Sequence, residues 1–75
     1  MSKVYTFREA IAINLPTGET HYMNPKTARE IARALNAHAK SVARGEWADE
    51  TKIKGKVASS SETARHGLKA INYDK

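Results

Sequence analysis

Asn24-Pro25-Lys26-Thr27-Ala28-Arg29-Glu30-Ile31-Ala32-Arg33-Ala34-Leu35, running on to Arg44-Gly45, is punctuated at both ends like a helix. The Asn24 side chain suits the N-cap, where it accepts from a free amide of the first turn. Pro25 fits the first helical position, because the donor it lacks would have no partner there. The alanine-rich interior favours helix. Gly45 stands where a left-handed C-terminal cap is expected, and Lys40 and Arg44 complement the negative end of the helix dipole. At ~100° per residue, Ala28, Ile31, Ala32, Leu35, Ala39 and Val42 converge on one side. Lys26, Arg29, Arg33, Lys40 and Arg44 gather on a separate arc of roughly 60°. Glu30 is the one acid along the rod. A stripe of one sign on a rigid helix suits an anionic surface, either nucleic acid or an acidic protein.

Upstream, Val4 to Leu15 reads as extended chain. Ile11, Ile13 and Leu15 alternate with Ala10, Ala12 and Asn14, the period of a half-buried strand. Leu15-Pro16-Thr17-Gly18-Glu19 then turns the chain, proline presetting its own dihedral and glycine accepting a positive one. Glu19 to Met23 returns with β-branched and aromatic content, so a hairpin is expected. Tyr5 and Phe7 share one side of their segment and are expected in the core beneath the helix, with docking onto a partner as the other reading.

Downstream, Glu46-Trp47-Ala48-Asp49-Glu50 is a connector, acidic around the only tryptophan. Lys52-Ile53-Lys54-Gly55-Lys56-Val57 alternates lysine with Ile, Gly and Val, a third strand carrying a lysine row. Ala58-Ser59-Ser60-Ser61 reads as a soft linker. Ser59, with Glu62 three residues later, makes a capping box that opens a short helix through Ala64, Leu68 and Ile71, although Gly67 inside it is unfavourable. The tail, Asn72 to Lys75, reads as loose. The fold expected is α+β in a single small domain over 1–75. A small antiparallel sheet, a hairpin plus a third strand, packs on one main amphipathic helix. Ile11, Ile13, Leu15, Tyr22, Ile31, Leu35, Val42 and Trp47 are expected to supply most of the core.

Composition bounds the function. Seventy-five residues lie near the lower limit at which a core alone holds a fold, and with no cysteine neither disulfides nor a thiolate zinc site supplement it. His21, His38 and His66 stand far apart in sequence, so neither a metal nor another cofactor is expected. The run Ala10-Ile11-Ala12-Ile13 is far short of the ~20 residues that span a bilayer. Met1-Ser2-Lys3, followed at once by Tyr5, Arg8 and Glu9, holds no signal-peptide core. A cytoplasmic location without a membrane partner is therefore expected. The chain has no glycine-rich phosphate loop, no cysteine nucleophile and no evident carboxylate pair, so it reads as non-enzymatic. A formal charge of +5 favours acidic partners.

The binding candidates are Lys26, Arg29, Arg33, Lys40 and Arg44 on the helix, Trp47 beyond it, and Lys52, Lys54 and Lys56 in the row. Each also has a plainer reading. Basic residues on an amphipathic helix form a solvated face in many proteins. Lysines on an edge strand block unwanted pairing. Trp47 packs over the helix end in one reading and stands out as an interface anchor in the other. Segregation favours the functional reading of the helix stripe: Arg29 and Arg33 are four apart, as are Lys40 and Arg44, so like charges are stacked where an opposite partner would relieve them.

Tyr5-Thr6-Phe7-Arg8-Glu9, the Leu15-to-Glu19 turn, Asn24-Pro25-Lys26-Thr27-Ala28-Arg29-Glu30 and the basic remainder resemble the small phage-encoded transcription regulators. The resemblance is to the short, basic ones that bind host bacterial RNA polymerase, displace its promoter-recognition factor and cause antitermination. It implies a protein acting by contact with polymerase subunits near the RNA exit region, and it assigns no residue a role. Direct nucleic-acid binding by the basic helix face is the alternative. Inhibition of another nucleic-acid-handling host complex is a third. Oligomeric state stays open, because a core this small leaves room for a dimer.

Overall fold

The computed structural model describes residues 2–67. Strands β1 (Lys3–Phe7), β2 (Ala10–Asn14) and β3 (Thr20–Met23) lead into helix α1 (Pro25–Ala43), followed by β4 (Val57–Ser59) and helix α2 (Ser60–His66). The sheet runs in the order β1-β2-β3-β4 with every neighbouring pair antiparallel. The α+β class and the single main helix are as the sequence reads. The sheet is larger than expected, because the stretch from Val4 to Leu15 is two strands.

That stretch folds back at Arg8–Glu9. The closing pair Phe7↔Ala10 leaves only those two residues in the loop, and Arg8 takes a φ of 56°. Tight hairpins need a positive φ there so that the turn matches the twist of the strands. An Arg-Glu loop carries none of the Gly or Asn that would announce it. The second hairpin is the one the sequence announces. Gly18, at φ 94°, donates its N–H to the Leu15 carbonyl at 2.9 Å. Thr20 Oγ1 donates to Asn14 Oδ1 at 2.8 Å across the closing pair.

Register places Tyr5 opposite Ala12 and Phe7 opposite Ala10, with Tyr22 beside Ala12 and Ala58. The Phe7 and Tyr22 rings meet at 5.5 Å between centroids, tilted by 51°. Large rings on β1 and β3 lean over small residues on the neighbouring strands β2 and β4, which is why Ala10, Ala12 and Ala58 are fully buried. Tyr5 and Phe7 therefore lie on the sheet face opposite the one that α1 covers. The other face carries Val4, Ile11, Ile13 and Met23, which line a groove with Ala28, Ile31 and Leu35 of α1.

The expected core is corrected accordingly. Ile11, Ile13, Tyr22 and Ile31 are half-buried, while Leu15, Leu35, Val42 and Trp47 are exposed. Strand period was legible, but the tighter face is the alanine face. Leu35 only borders the groove beside the sheet, and Val42 lies beyond it, where none of the described strands lines the helix.

Helix α1 begins as its sequence demands. Thr27 N–H donates to Asn24 Oδ1 at 2.8 Å, with Pro25 in the first turn. It ends at Gly45, φ 72°. Gly45 N–H donates to the Val42 carbonyl at 3.0 Å and Glu46 N–H to the Ser41 carbonyl at 2.9 Å, the paired bonds of a Schellman motif. Ser59 caps α2, accepting from Glu62 N–H at 3.4 Å, while Ala58 and Ser59 belong to β4 and not to a linker. Gly67 closes α2 at φ 64°. The expected continuation through Leu68 and Ile71, and the tail from Asn72, lie outside the described residues.

Candidate functional site

The third strand expected at 52–57 is not one. Pairing begins only at Val57, and the chain before it runs back along α1. Thr51 Oγ1 and His38 Nε2 hydrogen-bond at 3.0 Å. Ile53 sits in a shallow apolar hollow with Ile31, Ala34, Leu35 and His38. Glu30 then accepts two backbone amides, Lys54 N–H at 2.8 Å and Gly55 N–H at 3.1 Å. Donors that a strand would direct to a neighbouring strand thus go to a helix carboxylate. The edge-strand explanation of the lysine row lapses with the strand itself.

Gly55 allows the close approach. A β-carbon there would stand 2.6 Å from Thr27 Cβ and 2.7 Å from Thr27 Cγ2, and Thr27 is the buried residue of α1. The Glu30 carboxyl is held below its ordinary value, first by the Lys54 N–H bond and further by Gly55 N–H and the charges of Lys54 and Arg33. Burial opposes the shift. The only acid on the helix is thereby kept ionised and is spent on the backbone.

This pinning joins two features that stand apart in the sequence. Lys26 and Arg33 of α1 and Lys54 and Lys56 of the return segment line one cleft of about 480 Å³, together with Asn24, Thr27, Glu30 and Gly55. All four cations are exposed. Arg29 and Lys40 continue the ridge along the rod, both exposed. Arg44, at its end, lies 3.7 Å from Glu46, and Lys56 lies 3.9 Å from Glu62. Arg44, Glu46 and Lys56 are exposed and Glu62 is half-buried, so both contacts are open to water, where such pairs are weak and easily exchanged. Among the described residues, no carboxylate lies within ion-pair distance of Lys26, Arg29, Arg33 or Lys40.

Lys52 is exposed but does not line the cleft. Trp47 is 85% exposed, just past the helix cap. The Schellman turn carries the chain off the end of α1, and among the described residues no helix or strand covers the indole. Sequence reasoning did not find Glu30 and Gly55 as the parts that assemble the cleft. The available signals were a lone acid amid cations and a glycine inside a lysine row, the latter a mark of close backbone approach.

Among the described residues, no three His, Cys, Asp or Glu side chains are grouped to hold a metal ion. No helix among them is long and apolar enough to cross a membrane. The chain matches no protein-family model, no curated protein and no solved structure. The chemistry of the surface is thus the guide to what it binds: an extended array of fixed positive charge with one apolar ring at its end.

Proposed function

We propose that this chain is a non-enzymatic regulatory protein that docks its cationic surface on an acidic face of a large host assembly. Bacterial RNA polymerase is the assembly, and altered initiation or antitermination the result. One observation carries the reading: Lys26, Arg29, Arg33 and Lys40 stand exposed along one rod, with no carboxylate of the described residues within ion-pair distance. Complementary potentials would steer such a ridge onto an acidic protein surface and fix its orientation. Trp47 supports a protein partner over a bare phosphate chain, since tryptophan is enriched among the energetic anchors of protein interfaces and this one is exposed. The polymerase itself comes from the family resemblance, and the cytoplasm is the compartment in which that contact would occur.

Direct nucleic-acid binding is the second reading, favoured by the convergence of Lys26, Arg33, Lys54 and Lys56 on one cleft. Phosphate oxygens are natural ligands of such a cluster. Capture of partners from a bacterial lysate, with and without nuclease, separates the readings. Recovery of polymerase subunits after nuclease treatment supports the first. Loss of all partners on nuclease treatment, with a steep linear fall of log affinity against log salt on duplex DNA, supports the second. Recovery of a different nucleic-acid-handling complex would replace the polymerase.

A further inference from the structure

We propose that the cleft between the start of α1 and the return segment binds a small oligophosphate, the chemistry of nucleoside di- and triphosphates. Two parts of the chain assemble it. Lys26 and Arg33 come from α1, and Lys54 and Lys56 from the segment that the Glu30 carboxylate holds against the helix. Arg29 and Lys40 of the docking ridge lie outside it. Oligophosphate binding here requires no polymerase contact, so the two stand or fall separately.

An unsatisfied hydroxyl lies in the wall of the cleft. Thr27 is 2% exposed and belongs to the lining. Its N–H is taken up by Asn24 Oδ1. Among the described residues, its hydroxyl has no hydrogen-bond partner. Its Oγ1 is turned toward Gly55, another residue of the lining. Buried polar groups without a partner are rare, and each calls for an explanation. A hydroxyl beside four cations is a donor waiting for a negatively charged oxygen.

The number and spread of the charges select the ligand. Four cations against one carboxylate leave the lining with three positive charges. Both oxygens of that carboxylate are already engaged by backbone amides. A di- or triphosphate gathers about three to four negative charges in one place, and a guanidinium such as that of Arg33 takes two phosphate oxygens at once. A nucleic-acid backbone instead carries one charge per nucleotide along its length. That distribution suits an extended ridge better than a cleft of about 480 Å³.

Isothermal titration calorimetry of the full chain with inorganic triphosphate, at about 150 mM salt, tests the site. A saturable one-to-one isotherm is expected, tighter by about 10-fold or more than for orthophosphate or for a short oligonucleotide without terminal phosphates. Lys54→Ala and Thr27→Val should each weaken binding by about 5- to 10-fold. Lys3→Ala removes an equal charge outside the lining and should stay within about 2-fold of wild type. Glu30→Ala separates a built cleft from a mere basic patch by the sign of its effect. Loss of a negative charge tightens anion binding to a patch, whereas here it releases Lys54 and Gly55 from the helix and should weaken binding. Circular dichroism checks that each variant is folded. Lys54 is exposed and its variant keeps the fold, so it decides the matter where Glu30→Ala unfolds. Absence of saturable binding overturns the proposal. So do equal losses from Lys54→Ala and Lys3→Ala, unweakened binding by Thr27→Val or by a folded Glu30→Ala, and an oligonucleotide that binds as tightly as triphosphate.

Discussion

Glu30 Oε2 accepts the backbone N–H of Lys54 at 2.8 Å, a bond that ties the return segment to the helix across 24 residues of chain. With Gly55 N–H on the other carboxylate oxygen, it decides where the lysine row lies relative to the helix ridge. The cleft depends on this latch.

The latch predicts an acid sensitivity of known sign. The Glu30 carboxyl sits below its ordinary value of 4.5, so the unfolded chain takes up its proton first as pH falls. The stability attached to Glu30 is present in full above that ordinary value and is lost as pH falls through the lower folded one. Urea unfolding at about pH 7 and about pH 3 should show wild type losing more stability on acidification than Glu30→Gln, which has no such carboxylate. Equal losses in the two proteins contradict the assignment.

Gly55→Ala forces a methyl group against Thr27, whose β-branched side chain has little room to rotate. The expected cost is about 1–3 kcal/mol, the usual range for overpacking. Chemical denaturation reads it as a lower midpoint at unchanged slope. Pairing the change with Thr27→Ala, which removes both the Oγ1 and the Cγ2 that crowd the site, should recover part of the loss.

Asn24→Ala removes the acceptor of Thr27 N–H at the start of α1. Thermal or urea unfolding should report a loss of about 0.5–2 kcal/mol, as for other N-cap deletions. Asn24→Asp and Asn24→Ser should retain most of the stability, because each keeps a capping oxygen at the same place.

Local chemistry with a short range was the legible part of this fold. The Asn24 cap, Pro25, the Gly45 terminus, the Gly18 hairpin and the Ser59 cap of α2 are each written within a few residues of where they act. The two-residue turn at Arg8–Glu9 was not, because neither residue type signals a positive φ. Lys52 to Lys56 misled for a different reason. Alternation is the pattern of a strand, but whether extended chain pairs with a strand or with a helix side chain depends on Glu30, far away in sequence. The face of β2 that packs tightest was hidden because isoleucine outranks alanine in hydrophobicity. Alanine is buried there because Phe7 and Tyr22 need the space above it. At the candidate site, the ridge was legible as periodicity on one helix. The cleft was not, since it needs the return segment brought alongside by Glu30 and Gly55.

Whether the ridge is the docking surface is tested most directly by the affinity of the purified chain for purified bacterial RNA polymerase, wild type against Arg29→Glu/Arg33→Glu. Both side chains are exposed and neither lies within ion-pair distance of a carboxylate of the described residues, so the double variant should keep its circular dichroism spectrum, with a lower melting point because the Arg33 charge helps hold the Glu30 carboxylate. Binding should weaken by about 10- to 100-fold, and the salt dependence that remains should be shallower. A folded variant that binds as tightly as wild type, with the same salt dependence, contradicts the account.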